Sequence, residues 1–397
     1  MPIQPLRVSA FTVCSAMGDG RVTTLHALRQ RRSGLRLNDF GKTPISTWIG
    51  RVPGLEDQSL PSEFSEWDCR NNRLAWRGLM ADNFRNVALA ARDRYGADRV
   101  AVVMGTSTSS IGASEEAYTR LTPDGRYPED LRRSIIHTPH SIGDFVQHAL
   151  GLNGISVTVA TACSSSAKVF AQAERLMRTG LADAAIVGGV DTLCGSVLFG
   201  FNSLELVSPE PCQPFDVQRR GINLGEAAGF ALLEREGTKG SWFTGYGESS
   251  DAHHMSTPHP EGRGARAALS DALGRAGLKP ADVGYINLHG TASLKNDEVE
   301  AAVVRDIFPE DTVGSSTKGW TGHTLGAAGI VEAAISMLAL EEGLLPGTLN
   351  SEVFDPACGP QIRRENVERD VQHALSFSFG FGGSNCVLAF ARSDAIR

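Results

Sequence analysis

Short, nearly continuous apolar runs alternate along this chain with stretches of helical period, and that alternation restricts the fold to the α/β class. The strand-like runs are Val8–Cys14, Val100–Met104, Ile155–Thr161, Ala184–Val190, Ala228–Leu233, Gly245–Glu248, Val283–Leu288, Ala374–Ser378 and Ser384–Phe390. Several show no polar alternation, as expected of strands covered on both faces. The helical stretches are Ser164–Arg178, Gly262–Ala276, Asp297–Ile307 and Leu325–Glu342. In the first of them Val169, Ala173, Leu176 and Met177 share one face. The segment Asn38–Asp68 has weak periodicity and reads as an insertion or loop region. A loose symmetry is also visible. Each half has a strand that runs into a reactive residue, Ile155–Thr161 ahead of Cys163 and Val283–Leu288 ahead of His289. The polar turn Glu236–Gly240 is the natural break, giving an N-terminal half over 1–240 and a C-terminal half over 241–397.

A chain of 397 residues has room for two domains or one duplicated one. Hydrophobic residues at 41% and charged residues at 21% are ordinary for a packed protein and exclude a disordered one. With 38 basic against 45 acidic side chains the net charge is −7, which argues against a nucleic-acid binder. No apolar run is long and uncharged enough to span a bilayer, and the first residues have no apolar signal core. The expectation is a cytoplasmic protein. The seven cysteines are scattered, with no CxxC pair, so they are read as reduced thiols rather than disulfides or a metal knuckle.

One cysteine stands apart. Thr161-Ala162-Cys163-Ser164-Ser165-Ser166-Ala167 joins a strand to a helix, so Cys163 sits at a helix N-terminus, where unpaired N–H groups and the helix dipole favour a thiolate. Three consecutive serines beside the thiol are poor filler for a dry core. His289 ends a strand and leads into Gly290-Thr291-Ala292-Ser293. His323 lies in Thr321-Gly322-His323-Thr324, just before a long apolar helix, and should therefore be a neutral hydrogen-bond donor. Lys318 is five residues upstream of it and needs an anion, for which Glu300 is the natural candidate; Asp297 lies nearby. The tail Ser376–Asn385 is rich in glycine, and its backbone N–H groups suit an oxyanion hole. It is no phosphate loop, since it lacks GK[ST] and a following helix. Gly188-Gly189-Val190-Asp191 is too short for a dinucleotide fingerprint.

Together these blocks resemble the bacterial elongating β-ketoacyl-acyl-carrier-protein synthases, condensing enzymes of the thiolase superfamily. The matching segments are Thr161–Ser166, Pro214–Asp216 with Arg219 and Gly225–Gly229, His289–Thr291, Asn296-Asp297 with Glu300, Lys318 with Gly322-His323 and Gly326–Gly329, and Gly380–Asn385. The resemblance covers nearly the whole chain. Ser293 and Ala227 stand where the family often has Thr and Gly. It implies a five-layer αβαβα fold of two similar halves, normally dimeric. It implies Cys163 as nucleophile, His289 and His323 as catalytic partners, and Lys318, Asp297, Glu300, Thr291 and Ser293 in support. Backbone N–H groups of Cys163 and Phe381 would form the oxyanion hole, with Phe381 as a gate and Phe379 beside it.

The implied reaction is a decarboxylative condensation of an acyl-Cys163 enzyme with a malonyl carrier protein, needing no metal or redox cofactor. Acyl and malonyl forms of an acyl carrier protein are the implied partners. That carrier is acidic in the family, so Arg70, Arg73 and Arg77, at helical spacing, and the Arg132-Arg133 pair are docking candidates. Two pathways stay open: type II fatty acid synthesis, or a secondary aryl polyene-like pathway, toward which His253-His254 and the Trp67–Arg73 segment lean. In the second, the chain works with a chain-length-factor-like partner; homodimer and heterodimer both fit. A non-catalytic partner subunit is disfavoured by the intact Cys-His-His set.

Overall fold

A computed structural model describes residues 2–42 and 44–396. Thr43, inside the weakly periodic segment, and Met1 and Arg397 at the ends lie outside the described residues. Ten strands carry the architecture. The first five are β1 (Leu6–Ser15), β2 (Val100–Gly105), β3 (Ser156–Val159), β4 (Ala184–Asp191) and β5 (Ala227–Glu234). The second five are β6 (Ser241–Ser250), β7 (Tyr285–Asn287), β8 (Val313–Ser315), β9 (His373–Gly380) and β10 (Ser384–Ala391). Their spatial order is β8-β7-β9-β10-β6-β1-β5-β4-β2-β3. Each five is therefore arranged third, second, fourth, fifth, first. The directions repeat as well. The third, second and fourth strands are parallel, and the fifth and first join antiparallel. The two sheets meet only where Leu6–Val8 of β1 pairs with Ser241–Phe243 of β6.

Seven helices build the layers around these sheets: α1 (Arg70–Met80), α2 (Phe84–Tyr95), α3 (Ser141–Ala149), α4 (Ser165–Arg178), α5 (Arg263–Ala276), α6 (Leu294–Ile307) and α7 (Ala328–Glu342). The period-2 alternation of a strand decides what each helix covers. In β2, Ala101 and Val103 face the central cluster with α4 and α7, while Val100, Val102 and Met104 face the outer cluster with α1, α2 and α3. In β7, Tyr285 faces the centre and Ile286 faces α5 and α6. The result is five layers, helix, sheet, helix, sheet, helix. The middle layer is the α4 and α7 pair. Because α7 touches both sheets, it is buried on every side from Ala328 to Leu340.

Nine of these strands coincide with the apolar runs, each longer or shorter by a few residues. The tenth, β8, has three residues and leaves no periodic signature. Of α1, α2 and α3, only α1 is hinted at in the sequence, by the helical spacing of Arg70, Arg73 and Arg77. The segment Asn38–Asp68 is largely irregular, as expected, but it is not a surface loop. It inserts Ile49, Val52, Leu55, Phe64 and Trp67 into the interior. No helix among the described residues is long and apolar enough to cross a membrane.

Candidate active site

The chain leaves β3 and reaches α4 through a single tight turn. Ala162 takes a left-handed φ of 52°, which swings Cys163 out of the strand direction and sets it two residues before the first helical residue. The three serines build this turn. Ser164 Oγ donates to Thr161 O at 2.9 Å, and Ser165 Oγ accepts the Thr161 N–H at 2.9 Å. Ser166 Oγ accepts the Ile330 N–H at 2.9 Å, satisfying one of the free donors of the first turn of α7. Their hydroxyls are thus structural and buried. Cys163 itself is 4% exposed. Burial pushes its thiol up to about 11, against the pull of Lys318 and of the N–H groups of Phe381 and Cys163. The helix end acts in the same direction as those three, yet the expected resting thiolate is replaced by a buried thiol.

His323 Nε2 lies 3.0 Å from Cys163 Sγ. On the far side of the ring, Nδ1 accepts the N–H of Leu325 at 3.1 Å. An imidazole nitrogen that accepts carries no proton, so the ring proton is on Nε2 and faces the thiol. His289 repeats the arrangement. Its Nδ1 lies 3.4 Å from Lys318 Nζ, an obligate donor, which leaves its proton on Nε2. The two rings stand edge to face with centroids 5.5 Å apart. Both histidines are held well below the usual imidazole range, first by burial and then by the Lys318 charge. His323 is neutral as expected: burial and the Lys318 charge discharge it, and the Leu325 N–H, at the start of the 3-10 turn Leu325–Ala327 that leads into α7, occupies its Nδ1.

One reactive-site atom from each of Cys163, His289 and His323 lies within 4.8 Å of the other two. Such a set can hold a metal only with bare nitrogens. Here both Nδ1 atoms accept hydrogen bonds, both Nε2 atoms carry protons, and an ammonium stands alongside. The trio is built to donate.

Behind the histidines, Lys318 donates to the His289 carbonyl and to Glu332. Both side chains of that ion pair are 3% exposed. The anion expected at Glu300 is therefore Glu332, a charge hidden in the apolar α7. Burial raises the Glu332 carboxyl to about 7, with Lys318 pulling it down. Glu300 has a different task. Its two oxygens accept the N–H groups of His289 and Gly290, each at 2.7 Å. Burial pushes it up to about 8 against those two donors. Asp297 accepts the N–H groups of Thr291 at 3.0 Å, Ala292 at 3.1 Å and Phe215 at 2.7 Å. From the start of α6, Asp297 and Glu300 clamp the backbone that follows β7. Sequence reasoning missed Glu332, although a single carboxylate within the apolar run Ala328–Leu340 is a readable signal.

Two family models match the chain. The beta-ketoacyl synthase N-terminal domain matches residues 76–238, and the beta-ketoacyl synthase C-terminal domain matches residues 241–352. This chain belongs to the β-ketoacyl synthases. It is an acyl-transferring condensing enzyme. Nodulation protein E of Rhizobium meliloti (strain 1021) is 34% identical over 74% of this chain and 75% of its own length. 3-Oxoacyl-[acyl-carrier-protein] synthase 2 of Staphylococcus aureus (strain COL) is 32% identical over 75% of this chain and 76% of its own. Among solved structures, the ketosynthase ApeO in complex with its chain length factor ApeC from Xenorhabdus doucetiae superposes with a TM-score of 0.89. It is 38% identical and covers 98% of each chain.

In this β-ketoacyl synthase the glycine-rich tail crosses over the cysteine turn. The Phe381 N–H lies near enough to the Cys163 sulfur to pull its pKa down. The approach is close enough that a Cβ on Gly380 would lie 2.9 Å from the Thr161 carbonyl oxygen and 3.3 Å from the Cys163 nitrogen. The Phe381 ring packs on Phe201 with centroids 5.5 Å apart, and Phe379 meets the His289 ring at 6.0 Å. A pocket opens beside them, lined by the trio together with Thr291, Ser293, Asn296, Phe379 and Phe381. Thr291 and Ser293 face it with their hydroxyls 2.9 Å apart.

The docking arginines do not form the expected free patch. Arg70 pairs with Glu226 at 2.6 Å and with Glu56. Arg73 grips both oxygens of Asp68 at 2.6 Å, and Arg77 pairs with Asp19 at 2.7 Å. Each charge is matched within the fold, which removes most of its reach toward a partner. Arg132 and Arg133 donate only to the carbonyls of Tyr127 and Ser65, and no carboxylate lies within 4 Å of either among the described residues.

Proposed function

We propose that this β-ketoacyl synthase joins an acyl group to a malonyl unit, both delivered as thioesters of an acyl carrier protein, and that Cys163, His289 and His323 carry the chemistry. The Cys163 sulfur attacks the acyl thioester carbonyl. The N–H groups of Cys163 and Phe381 stabilise the oxyanion, and the thiol proton leaves with the carrier thiol. Malonyl carrier protein then enters. Loss of CO₂ leaves an enolate, whose oxygen takes hydrogen bonds from Nε2–H of His289 and His323. The enolate carbon attacks acyl-Cys163, the carbon–carbon bond forms, and the Cys163 sulfur leaves and is reprotonated. The product is a 3-oxoacyl carrier protein two carbons longer. The observation that carries this reading is the pair of inward Nε2–H donors beside a buried thiol, one of them 3.0 Å from it. Thr291 and Ser293 would meet the pantetheine arm, and the Phe381 ring would gate the thiol. Arg132 and Arg133 are the docking positions that this reading retains.

The division into halves over 1–240 and 241–397 belongs to the same proposal, with the nucleophile on the first and both histidines on the second. The repeated strand order supports it. A second reading concerns the pathway. Likeness to a 3-oxoacyl-[acyl-carrier-protein] synthase 2 favours fatty acid synthesis. Higher identity over nearly the full chain to a ketosynthase solved with its chain length factor favours a heterodimer with a related subunit, acting in a secondary polyene-like pathway. The cytoplasm is the compartment that suits reduced thiols and carrier-bound substrates. Intact-mass measurement after exposure to saturated and polyunsaturated acyl carrier proteins tests both levels. An adduct on Cys163 is expected, and the preferred chain selects the pathway. No adduct from folded protein, alone or with a chain-length-factor-like partner, would refute the scheme.

A further inference from the structure

The carboxylate of Asp191, at the end of β4, is fully buried and takes part in none of the steps above. It accepts the Thr106 hydroxyl at 2.5 Å, the Ser107 N–H at 2.9 Å, and the N–H and hydroxyl of Thr108 at 2.8 and 2.7 Å. Those donors all lie on the loop after β2. Its remaining donor comes from the other half of the molecule, the N–H of Gly326 at 2.6 Å. No cation pairs with it among the described residues. A buried anion without a counter-ion survives only where a full set of donors is fixed around it. The approach to Gly326 is built for contact, since a Cβ there would lie 2.7 Å from Asp191 Oδ2 and 2.6 Å from the Ser107 nitrogen.

Gly326 follows Leu325, which holds a left-handed φ of 57°. Leucine avoids that region, so the surroundings must impose it. The Leu325 N–H, aimed by that conformation, is the donor that keeps His323 Nδ1 unprotonated. We propose that Asp191 is a positioning residue for His323, and that by anchoring Gly326 it holds Leu325 in the conformation that keeps the His323 proton on Nε2. The proposal rests on His323 acting through that proton, and its first readout does not depend on activity.

The test is ¹⁵N spectroscopy of histidine-labelled protein, with His323→Gln for assignment. In Asp191→Asn the amide can offer its oxygen to Thr106 and Thr108 only by turning its NH₂ toward the Gly326 N–H. Native protein should show a single His323 tautomer, and Asp191→Asn a mixture. The kcat for malonyl decarboxylation should fall about tenfold with KM for malonyl carrier protein within twofold, and acyl loading of Cys163 should be nearly unchanged. Gly326→Ala keeps the carboxylate and pushes Gly326 off both Asp191 and the Ser107 backbone; it should give the same signature and serves alone if Asp191→Asn does not fold. An unchanged His323 tautomer in a folded variant overturns the proposal. A shifted tautomer with unchanged decarboxylation would leave the anchoring intact and instead sink the role of His323 in the reaction.

Discussion

The two strand-to-helix junctions at the centre of the molecule occupy equivalent places in the two halves and do different things. Between β3 and α4 the chain needs only Ala160–Ser164, and it presents one reactive atom at the mouth of an amphipathic helix. Between β8 and α7 it spends Ser316–Ala327, and it presents Lys318 and His323 ahead of a helix buried on every side from Ala328 to Leu340. The repeated sheet supplies two facing junctions at the middle of the fold. The longer of them gives the second half room for a cation and an imidazole. The helix behind it, buried from Ala328 to Leu340, supplies Glu332, the counter-ion that lets that cation stay. Duplication accounts for the frame, and the unequal junctions account for the division of labour between thiol and imidazoles.

Breaking the short junction should have the largest effect. Cys163→Ala leaves no atom to hold the acyl group, so condensation should fall by roughly 10³-fold or more while the fold survives. Product formation from acyl and malonyl carrier proteins measures this, and a rate within tenfold of native would contradict the assignment. Breaking the long junction should instead be felt as stability. Glu332→Leu strands the Lys318 ammonium in the core, and removing one partner of a buried ion pair costs ~3–5 kcal/mol. Chemical denaturation reads it directly. A loss under about 1 kcal/mol would mean that the pair is solvated in solution.

The frame was legible because β2, β4 and most of α7 are long apolar runs, and Cys163, His289 and His323 were legible because each stands at the end of a strand or the start of a helix. What escaped notice has physical causes. β8 is too short to show a period. In α1 Arg70, Arg73 and Arg77 recur at helical spacing beside the buried Leu74, Ala75 and Leu79, so its charge drew attention before its apolar face. That charge was also misjudged. Glu226, Asp68 and Asp19 are distant in sequence from or hidden beside the arginines they neutralise, and only the folded chain brings Glu226 to Arg70. Glu300 was assigned to Lys318 by proximity, whereas its oxygens were already committed to two backbone donors.

The crossing of the tail over the short junction gives a smaller effect. Gly380→Ala places a methyl group 2.9 Å from Thr161 O and 3.0 Å from Ser384 O. Neither backbone segment can yield without shifting the Phe381 N–H from Cys163. Acyl loading should slow by roughly 10²-fold, the cost of losing one oxyanion donor. The malonyl decarboxylation that the histidines support should change far less. Stopped-flow loading against steady-state decarboxylation separates the two, and equal losses in both would mean that the tail serves the two junctions alike.

The finest distinction between the junctions is in pH, because one burial acts on the two kinds of group with opposite sign. It raises the Cys163 thiol from 9.0 to about 11 and lowers both imidazoles well below 6.5. Alkylation of Cys163 should therefore keep rising with pH through about 11, while malonyl decarboxylation shows no acid limb near 6.5. Stability follows the same signs. Below about 6.5 His289 and His323 gain protons in the unfolded chain and not in the native one, so their contribution to stability falls as pH falls, while Glu300 and Glu332, raised to about 8 and about 7, contribute with the opposite sign. Above 9 the native thiol keeps a proton that the unfolded one has lost, so stability falls as pH rises toward 11. Replacing His289 and His323 together by Gln should remove their share of the acid side alone, and Cys163→Ala one thiol's share of the alkaline side, the other cysteines being raised by burial as well. If alkylation of Cys163 in the native protein were complete by pH 8, the helix end would outweigh burial at the short junction. The thiol would then stand charged beside two neutral donors.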